Sequence, residues 1–260
     1  MAFNKNELLL DRVRSLVFND IETKKMLLRL TSLEDPSLGT SAEGEEIVDA
    51  IGAPITTLYR AKRATFSATN SLVSLDLAAA QYGSEKEVAS ETKKIIDRTY
   101  EIKKVEGTTV KLDHVPAKEV LWIYAIENNE IGTAYGAGAE ASATEFVIGE
   151  DGTITLPTSV TTGKIYVEYE YETSEGVIVR NLASKFPETG ELVIYAYFRD
   201  VCNDNLIYSG KVISPRAKLN PENVELALTS TGKHPFEFTM NKEYCSEEGE
   251  DDLFYIIVTP

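Results

Sequence analysis

The last third of the chain alternates between two sets of side chains with a period of two. Within residues 192–198 one set is Leu192, Ile194, Ala196 and Phe198, and the other is Val193, Tyr195 and Tyr197. Successive side chains of a strand leave opposite faces, so this pattern predicts a half-buried strand. Shorter apolar runs follow at 206–213, 224–228, 236–240 and 253–258, separated by Gly, Asn or Pro. We therefore predict a sheet over residues 191–259.

The first third mixes extended and loop signals. Residues 4–18 fit either a short helix with one apolar stripe or an extended terminal arm, and residues 26–31 fit a strand. Residues 34–41 are polar and contain Pro and Gly, which predicts an exposed loop. Residues 47–67 predict a long hairpin with Gly52 and Pro54 in its turn.

One segment favours a helix. Residues 72–82 are rich in Ala and Leu, Asn70 or Ser71 is a suitable N-cap, and Gly83 is a natural stop. The predicted apolar face consists of Leu72, Leu75, Ala79 and Tyr82. The pattern of residues 85–101 is mixed and does not decide between helix and strand.

The middle of the chain has a different composition. Residues 105–176 hold 3 basic and 13 acidic side chains, a balance of −10 out of −16 for the whole protein. Five or six short strand-like segments recur there every 8–12 residues, which is typical of a small β-sandwich. We predict an inserted acidic Ig-like β-sandwich at 105–176, within a discontinuous β domain made of residues 1–104 and 177–260.

Composition restricts the classes of partner. A net charge of −16 argues against a surface built to hold nucleic acid. No apolar run approaches the roughly 20 residues of a membrane-spanning helix, and the N-terminus shows no signal peptide, so we expect synthesis in the cytosol and no membrane partner. In that compartment Cys202 and Cys245 are expected to be free thiols, although a disulfide stays open.

The sequence contains no recognisable catalytic motif. His114 and His234 are each followed closely by proline and are expected in turns, and no Cys or His pair has the spacing of a zinc site. The acidic stretch 247–252 is expected to be a solvated turn rather than a calcium loop. We therefore expect a protein that is not an enzyme, with no catalytic residues, no metal and no cofactor.

Several stretches resemble known proteins. Residues 41–49, 59–68 and 70–88 resemble structural proteins of large tailed phages, and residues 206–220 and 225–240 are similar to the distal strands of phage tail tube (major tail) proteins. The similarity covers roughly 26–104 and 177–260.

The resemblance implies a mainly β fold: a tail-tube-like β-sandwich or barrel with one flanking helix and a long hairpin, plus the inserted domain. It implies stacked hexameric rings that form a conduit for genome ejection in the virion tail. The implied partners are other copies of the chain, the tape measure, baseplate and terminator proteins, and DNA passing transiently through the lumen. The insertion would lie outside the tube.

The resemblance also implies contact residues. Hairpin 47–67 would reach adjacent subunits, and loop 34–41 would take part in ring stacking. The basic group in the hairpin fits either a solvated strand face or a contact with an acidic neighbour. The predicted inter-subunit contacts are Ile47, Val48, Tyr59, Arg60, Lys62, Arg63, Phe66, Leu226 and Phe238, and the predicted stacking residues are Glu34, Asp35, Pro36 and Leu38.

Two alternatives remain open at this point. The first is a capsid decoration or baseplate protein built from β-sandwich modules. The second is a β-sandwich adhesin or carbohydrate-binding module. The assembly state separates these alternatives from a tube protein. A tube protein should form rings or tubes, a decoration protein should stay a monomer or trimer, and a carbohydrate-binding module should be a monomer that binds glycans.

Overall fold

The computed structural model describes residues 7–201, 203–222, 224–226, 229, 232–242 and 252–260. The chain divides into two compact units, one made of Met1–Lys86 with Val179–Pro260 and the other of Glu87–Ile178. The predicted boundaries at 104/105 and 176/177 differ from these. The first difference arises because residues 95–104 form a strand that pairs along its whole length within the second unit.

The described residues are mainly β, with one helix. The elements in chain order are β1 (Leu8–Asp20), β2 (Met26–Leu30), β3 (Leu33–Val48), β4 (Pro54–Asn70), α1 (Leu75–Tyr82), β5 (Lys86–Val88), β6 (Ile95–Lys104), β7 (Thr109–Lys111), β8 (Trp122–Glu127), β9 (Glu130–Ala137), β10 (Glu145–Ile148), β11 (Thr153–Thr155), β12 (Lys164–Thr173), β13 (Val177–Val179), β14 (Thr189–Asp200), β15 (Asn203–Leu219), β16 (His234–Met240) and β17 (Tyr255–Thr259).

The first unit is built on one nearly closed, barrel-like sheet with the strand order β2-β1-β14-β15-β16-β4-β3, and β17 pairs with β15. The register places Leu16 opposite Ile194 and Phe18 opposite Leu192, so one face of the predicted alternation points into the core. Phe18 also packs on Phe238 with ring centroids 5.0 Å apart. The core therefore joins strands from both ends of the chain.

Helix α1 begins later than the sequence predicted. Ser74 caps it, because its hydroxyl accepts a hydrogen bond from the Leu77 amide at 3.2 Å. Asn70, a predicted cap, is instead the last residue of β4. The buried face is Leu77, Ala78, Ala79 and Gln81, which shares only Ala79 with the predicted face, and Gly83 ends the helix as predicted, with φ of 62°.

Two segments predicted or allowed as helix or loop are strands. The described part of residues 4–18 belongs to β1, which lies between β14 and β2 and is therefore extended rather than helical. Residues 34–41 belong to β3, where a register shift at Asp35 (φ 48°) and Pro36 admits the proline.

The predicted strand at 224–228 is wrong where it can be tested, since residues 224–226 lie outside any strand. His234 is also not a turn residue, because it begins β16 and is fully buried. Strands β14, β15, β16 and β17 confirm the other predicted strands of this region. Cys202, Cys245 and most of the acidic stretch 247–252 lie outside the described residues.

The second unit has its own core. Its strands follow the path β6-β12-β8-β9-β10-β11-β7, in which β9 and β10 are parallel. Ile165, Val167 and Tyr169 of β12 point inward, as their alternation predicts. Because these strands form one connected path, the Ig-like two-sheet grouping stays a prediction. This unit carries 8 basic and 17 acidic residues, a net −9, against −7 for the rest of the chain.

Candidate assembly surface

The β3–β4 hairpin of the first unit changes character along its length. Near its base, alternate side chains of β4 are buried in the core, beginning with Ala64 and Phe66. Beyond that point every residue from 41 to 63 is exposed on both faces of the ribbon. We call residues 41–63 the arm. Eight residues of extended strand on its first side span roughly 25 Å.

A bulge marks the base of the arm. Ser41 pairs with Arg63 and Glu43 pairs with Arg60, so Ala61 and Lys62 together lie opposite one residue. Ala61 takes a left-handed conformation with φ of 49°, which costs on the order of 1 kcal/mol for a residue with a Cβ. A bulge bends and twists a ribbon, so it sets the direction of the arm.

One face of the arm is charged. The Arg63 guanidinium lies 3.4 Å from the Glu43 carboxylate, and that of Arg60 lies 3.5 Å from that of Glu45. All four side chains are exposed, so these pairs add little stability. They instead hold the basic group predicted from the sequence against acidic residues of the same hairpin.

The other face carries Tyr59 and Ile55, together with Glu46, which lies opposite Thr57. The Tyr59 ring lies across Gly44, where an added Cβ would come within 3.3 Å of it. Ile55 and Thr57 alternate onto the same face as Tyr59. Tyr59 is 75% exposed and Ile55 is 65% exposed. Glycine thus lets the aromatic ring lie flat on the ribbon while its outer surface stays in water.

The apex of the arm is an ordered turn. The Asp49 carboxylate accepts hydrogen bonds from the amides of Ile51 at 2.9 Å and Ala53 at 2.8 Å. Gly52 has a φ of 84°, which glycine tolerates without strain. This turn leaves Ile51 89% exposed. A local hydrogen-bond network therefore presents an apolar side chain to solvent.

Six of the predicted contact residues lie together on the arm: Ile47, Val48, Tyr59, Arg60, Lys62 and Arg63. The other three do not join them. The side chains of Phe66 and Phe238 are buried in the core of their own subunit, which corrects their assignment as surface contacts. Leu226 lies partly buried outside the strands.

The predicted stacking residues do not form a loop. Glu34, Asp35, Pro36 and Leu38 lie in β3, Leu38 packs against the core, and Glu34 forms an ion pair with Lys233. The Lys233 ammonium lowers the pKa of Glu34. Sequence reasoning also missed Ile51, Ile55 and Leu58 as candidate contact residues. Apolar side chains in a strand pattern usually predict burial, whereas these three are exposed on the arm.

Within the described ranges, no group of three or more His, Cys, Asp or Glu side chains is placed to hold a metal ion. The helix in that part of the chain is too short and too polar to cross a membrane.

The comparison with protein families decides the identity. The model of the YomU/Tube protein family matches residues 8–252, a span that runs through both units. The chain belongs to the YomU/Tube protein family. This confirms the resemblance to phage tail tube proteins. The chain is thus a phage tube structural protein, a virion component that associates with other tail proteins. No curated protein matches it.

Proposed function

We propose that this protein assembles into hexameric rings, and that these rings stack into the hollow tube through which the phage genome is ejected. Family membership supports the tube, and the arm supports the ring. The arm is the observation that carries the proposal, because residues 41–63 are exposed on both faces and yet hold an ordered set of large apolar side chains.

The energetics favour a partner for the arm. Exposed apolar groups clustered on a rigid element are typical of interaction sites. Burying Tyr59, Ile55 and Ile51 against another subunit would contribute roughly 1.5–3 kcal/mol for each side chain. The strand pairs and the Asp49 turn order the arm in advance, which lowers the entropic cost of docking.

An arm that docks on a different surface of its neighbour is a heterologous contact. Such contacts close into a ring when a whole number of identical rotations from subunit to subunit completes one full turn. Six copies arranged in this way leave a central hole through which the genome passes. The tape measure protein then fills the tube during assembly, and the baseplate and terminator proteins contact its two ends.

The arm can be tested directly. We expect the double variant Ile51→Ser, Tyr59→Ser to stay a folded monomer under conditions in which the wild type forms rings. Sedimentation velocity and negative-stain microscopy measure the assembly, and circular dichroism checks the fold. Tyr100→Ser is a matched control, because Tyr100 is a 62% exposed tyrosine of the second unit, and this variant should assemble normally.

Two results would contradict the proposal. A wild-type protein that remains a monomer or trimer at all concentrations would favour a decoration protein over a tube subunit. Rings of the double variant that match the wild type in number and diameter would show that the arm does not carry the ring contact.

A further inference from the structure

A second surface of the first unit combines cations with tyrosine rings. It lies on β1, β14 and β15, where Arg12 pairs with Tyr197 and Tyr195 pairs with Lys211. Their neighbours on β14, Ile194 and Ala196, face the core, so the tyrosines lie on the opposite face of the sheet. We call this surface the Arg–Tyr face; it consists of Arg12, Arg14, Tyr195, Tyr197 and Lys211.

The cations are held on the rings. The guanidinium carbons of Arg12 and Arg14 lie 5.5 Å and 5.8 Å from the Tyr197 ring centroid. The Lys211 ammonium lies 5.9 Å from the Tyr195 ring centroid. These distances are within the range of cation–π attraction. Arg12, Arg14 and Lys211 are exposed. The stacking positions their charges while leaving them open to a partner.

The charge of this face is not neutralised locally. In the described part of the chain, neither Arg14 nor Lys211 has a carboxylate within 4.0 Å. The nearby Asp11 carboxylate is engaged with Arg199 at 2.7 Å and lies 3.8 Å from Arg12. A surplus of positive charge therefore sits on a protein whose net charge is −16.

The arm offers the complementary surface. Its first strand, residues 41–48, contains Glu43, Glu45 and Glu46 and no basic residue, and Asp49 follows in the turn. This strand is the last in the sheet order and, among the described strands, pairs with β4 alone. The basic residues of the arm lie on β4, the inner strand. The outer strand of the arm is therefore acidic. Glu43 and Glu45 face Arg63 and Arg60 in exposed, weak ion pairs, whereas Glu46 has no cation within 4.0 Å among the described residues.

We propose that the Arg–Tyr face of one subunit binds the acidic outer edge of the arm of a second copy of this chain. This inference rests on the proposed ring and names the two surfaces that meet in it. Opposite charges steer the two surfaces together and fix their register. Tyr and Arg are also the residue types enriched at the centre of protein interfaces.

Duplex DNA is the other anion that three cations could attract. The net charge of the whole chain favours a protein partner, because it repels the polyanionic duplex at long range. Fluorescence anisotropy with a labelled duplex at physiological salt decides between them. We expect no binding by the wild type, and binding that is lost in Arg14→Glu, Lys211→Glu would overturn the inference in favour of DNA.

Charge exchange between the two surfaces is the central test. The face variant is Arg14→Glu, Lys211→Glu, and the arm variant is Glu45→Lys, Glu46→Lys. We expect each alone to need at least about tenfold more protein to assemble, because like charges then meet at every contact. An equimolar mixture of the two should restore assembly, since every contact in an alternating ring of six joins opposite charges.

The control is Lys104→Glu, Lys164→Glu in the second unit, which changes the net charge as much as the face variant does and should assemble normally. Normal assembly of both reversed variants would overturn the inference, and so would a mixture that stays unassembled. The proposed ring fails separately, because a wild-type protein that never assembles refutes it before any variant is made. Circular dichroism spectra identical to the wild type show that the variants are folded.

Discussion

The Nε2 atom of His234 lies 2.5 Å from Oε1 of Gln81 and ties β16 to helix α1. The Gln81 amide nitrogen donates to the Pro235 carbonyl at 3.1 Å, which turns Oε1 toward the imidazole. The hydrogen of the neutral imidazole is therefore on Nε2. The Nδ1 atom is buried without a hydrogen-bond partner among the described residues. A charged imidazole would leave an unpaired Nδ1 donor in the core, and burial lowers the pKa of His234.

The stability of the first unit should fall in mild acid. The unfolded chain protonates His234 near its ordinary pKa of 6.5, whereas the folded protein resists protonation until a lower pH. The unfolded state thus binds more protons between these two values, and stability falls as pH drops below 6.5. Urea unfolding of dilute protein at a series of pH values, followed by circular dichroism, should show this loss.

His234→Gln is the matched variant, because it removes the titrating group. It should be less stable than the wild type at pH 8 and should lose the part of the pH dependence that begins as pH drops below 6.5. A wild-type slope that is unchanged by this substitution would show that other groups cause the acid sensitivity.

Gly83→Ala should destabilise the protein more than Gly52→Ala. Both glycines have positive φ, so both substitutions carry the strain of a left-handed alanine, about 1 kcal/mol. A Cβ at Gly83 would in addition collide with the Phe186 backbone, whereas one at Gly52 meets nothing within 4 Å. Thermal unfolding of the two variants measures the difference, and equal melting temperatures would contradict it.

Phe238→Ala should cost about 3–5 kcal/mol of unfolding free energy, the usual range for a large aromatic side chain removed from a core. Phe238 is fully buried and packs on Phe18 and Phe236. Leu226→Ala should cost clearly less, because Leu226 is partly exposed and outside the strands. Chemical denaturation of both variants measures these two costs. Similar losses of unfolding free energy would contradict the assignment of Phe238 to the core and of Leu226 to a position outside the strands.

Residues 87–178 should fold alone, whereas residues 105–176 should not. The longer segment keeps β6, which pairs with β12 from Ile95 to Lys104. Its two ends also lie close together, because the Ala89 amide donates a hydrogen bond to the Gly176 carbonyl at 2.9 Å. The shorter segment exposes the long edge of β12. Cooperative thermal unfolding of each fragment is the measurement, and a folded shorter fragment would support the boundaries predicted from composition.

Local patterns predicted several elements well. Alternation identified β14, and the Gly52 turn identified the hairpin, since these signals depend on neighbours in the chain. The pattern failed at residues 34–41, where Pro36 and Gly39 suggested a loop but pairing with β4 makes a strand. It also failed for β6, because its alternation does not reveal which sheet supplies its partner.

The sequence by itself determined that the chain is acidic and mainly β, with a long hairpin, a helix ended by Gly83 and a compositionally distinct middle. These properties follow from the local backbone preferences and the spacing of apolar residues. The tertiary structure decided which apolar side chains are buried. Phe66 and Tyr59 lie on the same strand, yet one is in the core and the other is 75% exposed, because the sheet covers the base of the hairpin and not the arm. The same packing brings Lys211, which is remote in sequence from Arg12 and Arg14, onto one face with them.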